Sequence, residues 1–249
     1  MKKYNITVSP DFKPDKIAGW YIFNTYLQQA ADISLHLNLY DGFEQQRKAI
    51  ADGQVDLIYA NPFDAAMLVN EYNFKPLVKP AGANDECVVV TSADSAFTSI
   101  DDLVAGTKIA ATDDPAINMI GMRMLEPANL NEDNTETDVV VSFIAVAKQI
   151  MDGKAQVGFI LKEAFDGFSN MVKSRLKVLV VSEIDVIYHG LMAAPSLHER
   201  AEELSNTLMA MNTEPKGKAV LEGLGFNAWE VMDDEDAAFM IDLMETLRS

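Results

Sequence analysis

The chain has 249 residues, 49% of them hydrophobic and 23% charged, a globular balance with room for one large domain or two lobes of ordinary size. Its net charge of −18 weighs against nucleic acid or an anionic membrane surface as partner, and also serves solubility. A single cysteine, Cys87, excludes an internal disulfide, and its place in the apolar run CVVVT predicts a buried, inert thiol.

Three histidines and one cysteine fall in no metal-ligand spacing, so neither a metal nor a cofactor is expected. No segment approaches the ~20 consecutive apolar residues of a membrane-spanning helix, so no membrane insertion is expected. The start, MKKYNITV, passes from two lysines straight into a strand pattern with no apolar h-region. With Met1 as the native start, that predicts a cytoplasmic protein.

Strand and helix patterns alternate along the chain. Residues 4–9 read as a strand, and Asp15 can cap a helix over 16–31. Residues 34–40 alternate Leu35, Leu37 and Leu39 on one face, as a half-buried strand does. A helix over 43–52 leads into an apolar strand over 55–60, after which Asn61 and Pro62 have the character of N-cap and N1 of another helix. A further strand is predicted over 74–79. From residue 86 the order begins again, with strands over 86–91 and 108–112. Ser99 and Asp102 frame a capping box on a short helix stopped by Gly106. Asp114-Pro115 opens a helix. Then come a strand at 139–142, a helix at 143–152, a strand at 155–161, a helix at 162–176, and strands at 177–181 and 186–193. The remainder reads as helices over 197–211, 215–224 and 233–247, with Met232, Met240 and Met244 as a packing face.

One phrase occurs twice. Residues 50–59 read IADGQVDLIY and residues 150–160 read IMDGKAQVGFI, each a helix end, an Asp-Gly turn and an apolar strand followed by a second helical pattern. Gly53 and Gly153 stand where a helix C′ residue needs positive φ. A helix–turn–strand–helix unit repeated at the same place in each half predicts two similar α/β lobes. The chain crosses between them in two extended hinge segments, so lobe 1 is residues 1–84 plus 188–249 and lobe 2 is 85–187. A ligand cleft is expected between the lobes.

In open parallel sheets, ligands bind beyond the carboxyl ends of the strands, where helix N-termini collect. Four junctions qualify: Ser9 to Phe12, Tyr59 to Asp64, Thr112 to Asn118, and Ser142-Phe143. Free N–H groups and the positive dipole end make each a potential anion site. The candidate ligand contacts are Ser9, Tyr59, Asn61, Pro62, Phe63, Thr112, Asp113, Asp114, Ser142, Phe143 and, in the return crossing, His189. Ser, Thr, Asn and Asp also cap helices everywhere, and Asp114 before Pro115 reads as such a cap. Asp113 beside it would repel an oxyanion, and Asp11, Asp15 and Asp64 sit at the other junctions, so a cation, amine or zwitterion stays open as the ligand. Catalytic signatures are absent: there is no nucleophile elbow, P-loop or dinucleotide fingerprint.

Three stretches, FEQQRKAIADGQVDLIYANPFDAAML, FKPLVKPAGANDECVVVTSADSAFTSIDDLVAGTKIAATDDPAINMIG and AKQIMDGKAQVGFILKEAF, together resemble the phosphate/phosphite/phosphonate-type solute-binding proteins of ABC transporters. The resemblance implies the type II periplasmic-binding-protein fold, each lobe a mostly parallel sheet flanked by helices. It implies a non-enzymatic, monomeric, periplasmic protein that closes over a small polar ligand, a phosphonate- or phosphate-like oxyanion, for an ABC permease or a sensor. The family's anion turn is rich in Ser and Thr. Its match here, Thr112-Asp113-Asp114-Pro115, keeps one hydroxyl, and the strand over 155–161 lacks the acidic residue the family often carries. The alternative is a cytoplasmic enzyme on the same fold, resembling menaquinone-pathway enzymes and acting on a small carboxylate.

Overall fold

The computed structural model describes residues 2–12 and 16–248. The predicted cap Asp15 lies outside them. The chain divides into two compact units, Met1–Ala83 with Tyr188–Glu245, and Asn84–Ile187 with Thr246–Ser249.

Unit 1 begins β1 (Lys3–Val8), α1 (Ile17–Ala30), β2 (Ser34–Asn38), α2 (Phe43–Ala51), β3 (Leu57–Ala60), α3 (Pro62–Asn70) and β4 (Lys75–Pro80). Unit 2 comprises β5 (Cys87–Ser92), β6 (Lys108–Ala111), α4 (Pro115–Leu125), β7 (Glu136–Val139), α5 (Phe143–Met151), β8 (Val157–Leu161), α6 (Lys162–Asp166), α7 (Asn170–Lys173) and β9 (Leu176–Val181). The chain then supplies β10 (Gly190–Ala193), α8 (Ala201–Met209), α9 (Pro215–Leu224), β11 (Trp229–Val231) and α10 (Asp234–Arg248).

The sheet of unit 1 runs β2-β1-β3-β10-β4-β11 and that of unit 2 runs β7-β6-β8-β5-β9. Apart from the extra edge strand β11 these are one topology: β6, β7, β8 and β9 take the places of β1, β2, β3 and β4, and β5 takes that of β10. In each sheet the first three strands are parallel and the inserted strand is antiparallel to both its neighbours. The sheets are therefore mixed rather than mostly parallel. β3 and β4 keep one direction because a helix crossover joins them. The strand between them enters from the opposite end of the chain path and runs against both.

Local chemistry explains most boundaries. Asn61 Oδ1 accepts from Asp64 N at 2.8 Å and Pro62 follows at N1, so α3 starts as its sequence predicts. Asp114 Oδ1 accepts from Ala116 N and Ile117 N at 3.0 and 3.1 Å, and Ser142 Oγ from Ala145 N at 3.3 Å. The Ser99 capping box forms, but on a single 3-10 turn, Ile100–Asp102. Gly53 and Gly153 take φ of +66° and +70°, one αL turn serving the same purpose in both units.

Four expectations need correction. The strand expected at 139–142 is Glu136–Val139, an edge strand exposed at every position. Pairing with β6, Lys108 opposite Glu136 through Ala111 opposite Val139, sets it rather than burial, and Val141 is left 97% exposed. The helix expected at 162–176 breaks at Gly167 into α6 and α7, with Ser169 capping the second and Leu176 already in β9. The strand expected at 186–193 is ladder-paired only over Gly190–Ala193, so Tyr188 and His189 precede it. The helical tail contains a strand, β11, whose three residues pair antiparallel with β4 and are too few to show a period.

Each unit has its own core. Unit 1 packs Ile6, Trp20, Phe23, Leu27, Leu57, Tyr59, Leu191, Leu221 and Trp229 around its sheet. Unit 2 packs Val88, Val90, Ala110, Val146, Ile150 and Ile160. Cys87 is fully buried, and burial pushes its thiol up and away from the reactive thiolate. Met232, Met240 and Met244 are buried, as a packing face requires.

Candidate functional site

Because β1, β2 and β3 are parallel, their carboxyl ends and the N-termini of α2 and α3 gather at one edge of unit 1. A polar network is built there. Asn61 Nδ2 donates to Ser9 Oγ and to Asp64 Oδ2, both at 3.1 Å. Arg47 Nε donates to Asp64 Oδ1 at 2.7 Å. Gln46 Nε2 donates to Thr7 Oγ1 at 3.0 Å and to the Val8 carbonyl at 2.7 Å. Ser9, Asn61, Asp64 and Gln46 are all buried. The Arg47 guanidinium lies 5.3 Å from the Phe43 ring centre and 5.5 Å from that of Phe63. Pro62 is buried beside them as the first residue of α3.

Tyr59, the penultimate residue of β3, lies inside an aromatic cluster. Its ring centre is 4.9 Å from Trp20, 5.7 Å from Phe226 and 6.1 Å from Trp229, and it stacks on His189 at 5.3 Å with 23° between planes. His189 Nε2–H donates to Asp11 Oδ2 at 3.2 Å, while Asp11 Oδ1 is buried without a hydrogen-bond partner among the described residues. The structure thus brings Ser9, Tyr59, Asn61, Pro62, Phe63 and His189 together on unit 1.

In unit 2 the equivalent edge carries Thr112 after β6 and Ser142 before α5, on neighbouring strands joined by Val140 N donating to the Ala111 carbonyl at 2.8 Å. Thr112 and Asp114 are buried and Asp113 is exposed. Asp114 is spent on the helix cap. Asn118 Nδ2 donates to the Thr112 carbonyl at 2.7 Å and closes the turn. Phe143 is half-buried against the core of unit 2. This edge holds caps and one solvated carboxylate, with no counterpart of the Arg47–Asp64–Asn61 network.

The crossing segments are bonded to each other: Asp85 N donates to the Ile187 carbonyl at 2.7 Å. The buried Glu86 carboxylate accepts from Ile184 N and Asp185 N at 2.8 and 2.7 Å and from the Ser182 hydroxyl.

Gln46, Arg47, Phe43, Phe226 and Trp229 join the site without having been singled out in the sequence. Arg47 had a signal: it lies one helical turn after Phe43, on a helix that starts at the same strand edge as Asn61. Phe226 and Trp229 had none, since they follow α9 at the far end of the chain.

Each unit thus carries helix N-termini and polar side chains at the strand ends of one shared topology. The family model described as "ABC transporter, phosphonate, periplasmic substrate-binding protein" matches residues 6–237, and the chain belongs to that family. It is a non-enzymatic solute-binding protein, and the enzyme alternative finds no support. No curated protein matches the chain at a significant level. Among solved structures, PhnD1 from Prochlorococcus marinus in complex with methylphosphonate is similar at TM-score 0.83 and 12% identity, over 99% of this chain and 98% of that one. XAC2383 from Xanthomonas citri bound to ATP is similar at 0.82 and 13%, over 100% and 98%. A binding-protein component of an ABC phosphonate transporter from Pseudomonas aeruginosa is similar at 0.78 and 15%, over 99% and 86%. At these identities the likeness is one of fold.

Proposed function

We propose that the ligand is a small phosphonate- or phosphate-like oxyanion, bound at strand-end edges where helix N-termini gather, for delivery to an ABC permease by a periplasmic, monomeric receptor. The observation that carries this reading is the gathering of helix N-termini at those edges, α2 and α3 on one sheet and α4 and α5 on the other. Aligned dipoles, and first-turn N–H groups beyond those taken by the caps, favour negative charge there. The family's description and the methylphosphonate in one neighbour support the same class. Tyr59, His189 and Thr112 are the proposed contacts, with Ser9, Asn61 and Ser142 holding the loops that present them.

A thermal-shift panel tests the reading, setting phosphate, phosphite, methylphosphonate and sulfate against amines, amino acids and small carboxylates. At about a hundred times its Kd a ligand adds ~2.7 kcal/mol of stability, which is several degrees at roughly 2–4 °C per kcal/mol. Shifts confined to oxyanions uphold the proposal; shifts confined to amines or zwitterions overturn it. Tyr59→Ala and Thr112→Ala should each weaken oxyanion binding with the fold intact. Asp113→Ser should strengthen it about two- to tenfold, because an exposed repelling charge becomes a donor. A fall in affinity on that change would place a cationic group of the ligand at Asp113.

A further inference from the structure

We propose that Arg47 is the cation that holds the oxyanion on unit 1, with Asp64 as its positioning residue; this rests on the oxyanion reading above. Only one edge of the guanidinium is used internally. Nε donates to Asp64 Oδ1 at 2.7 Å, whereas Nη2 is buried with no hydrogen-bond partner among the described residues. A buried guanidinium N–H left unpaired is costly, and charged donors more so than neutral ones. The Nη edge of arginine is a planar fork that matches two oxygens of a phosphonate or phosphate. An oxyanion approaching the exposed part of the side chain would supply the missing acceptor once Nη2, sealed from solvent as it stands, turns toward it.

The surroundings fix the fork in place. The Phe43 and Phe63 rings, 5.3 and 5.5 Å from the guanidinium carbon, come from the first turns of α2 and α3. They define the plane of the group and keep water from part of it. Asp64, only 3% exposed, is held in turn by Asn61 Nδ2 at 3.1 Å, and Asn61 by Ser9. The chain Ser9–Asn61–Asp64–Arg47 therefore runs from buried loop residues to a cation that is 35% exposed and lies where two helix N-termini converge. The carboxylates that speak against an anion in the sequence, Asp64 among them, acquire a different meaning: Asp64 aims the arginine.

Calorimetric titration of the full chain with methylphosphonate, inorganic phosphate and methanesulfonate, at two salt concentrations, tests this. Arg47→Met should weaken every oxyanion that the parent binds by about ten- to a hundredfold and flatten the salt dependence. Arg47→Lys should recover part of the affinity, as a charge without the fork. Asp64→Asn keeps an acceptor for Nε but removes the competing charge, so it should tighten binding even where it lowers the melting temperature. Arg47→Met binding like the parent would overturn the proposal and leave the oxyanion reading standing. Equal weakening in Arg47→Met and Asp64→Asn would make Arg47 a structural element of the network and also overturn it. A parent chain that binds none of the three probes would overturn the oxyanion reading, and the role of Arg47 with it.

Discussion

In unit 1 the strand β3 is followed at once by Asn61, inside a buried network that reaches Ser9, Asp64 and Arg47. In unit 2 its counterpart β8 ends at Leu161, which caps nothing, and the next residue, Lys162, pairs with Asp166 at 2.5 Å among exposed side chains. The two units share their strand order, their inserted antiparallel strand and their αL glycine turn. They differ in what stands at the strand ends and in what fills the core. Unit 1 is aromatic, with Trp20, Phe23, Tyr59, Phe226 and Trp229 in mutual ring contact. Unit 2 is built of small and branched residues around Phe159, whose ring lies where a Cβ on Gly121 would be 2.5 Å away. A topology can be repeated while the chemistry at its strand ends is free to diverge, since one depends on pattern and the other on single side chains.

The largest effect that could break this comparison is removal of Phe159. It is fully buried, so Phe159→Ala should cost about 3–5 kcal/mol. Both tryptophans, Trp20 and Trp229, lie in unit 1 and report on it alone. If each core stabilises its own unit, far-UV dichroism of the variant in urea should show an early phase, while tryptophan fluorescence keeps the parent midpoint. Coincident transitions at a lowered midpoint would mean that the units unfold as one.

The caps sharpen the contrast at the strand ends. Ser142→Ala removes one hydrogen bond, to Ala145 N, and should cost about 1 kcal/mol. Asn61→Ala removes the equivalent cap and also the donors to Ser9 and Asp64, so about 2 kcal/mol or more is expected. Chemical melts of the two variants measure the difference, and equal losses would mean that the network in unit 1 adds nothing to its cap.

The shared half of the comparison was the legible half. Asp-Gly turns, apolar strands and Pro-N1 helix starts are local signals, and the structure repeats them at Gly53 and Gly153, Pro62 and Pro115. Edge positions were harder: β7 has no buried face to imprint a period, and the apolar run at 139–141 pointed two or three residues too late. β11 was hidden by its three-residue length. Single site residues such as Ser9, Asn61 and Tyr59 were visible as polar groups at strand ends. Their mutual bonding was not, because the partners come from separate elements: Asn61 reaches back to Ser9 and Arg47 forward to Asp64. The ring contacts of Tyr59 with Phe226 and Trp229 span most of the chain, beyond any local pattern.

The smallest predicted effect concerns the segment leading into β10. Tyr188 is buried, its hydroxyl has no hydrogen-bond partner among the described residues, and the Lys79 ammonium sits 4.0 Å from its ring centre. Burial first, then the carboxylates of Asp236, Asp233 and Glu230, pushes its phenol up to about 12. The folded protein thus resists ionising Tyr188 while the unfolded chain ionises it near the ordinary value of ~10. The stabilising difference is complete below that value and is lost as pH climbs through the folded one, a loss on the order of 1 kcal/mol once solvent screening is allowed for. Tyr188→Phe keeps the ring under Lys79 and deletes the unpartnered hydroxyl. It should gain up to about 1 kcal/mol at pH 8, since no hydrogen bond is given up. It should also lose less than the parent between pH 10 and 12. Tyr26 and Tyr40, whose phenols are raised by burial as well, are common to both chains and cancel in the comparison. Urea melts followed by tryptophan fluorescence across that range provide the test. Parallel pH profiles would show that the alkaline sensitivity of unit 1 resides in groups other than Tyr188.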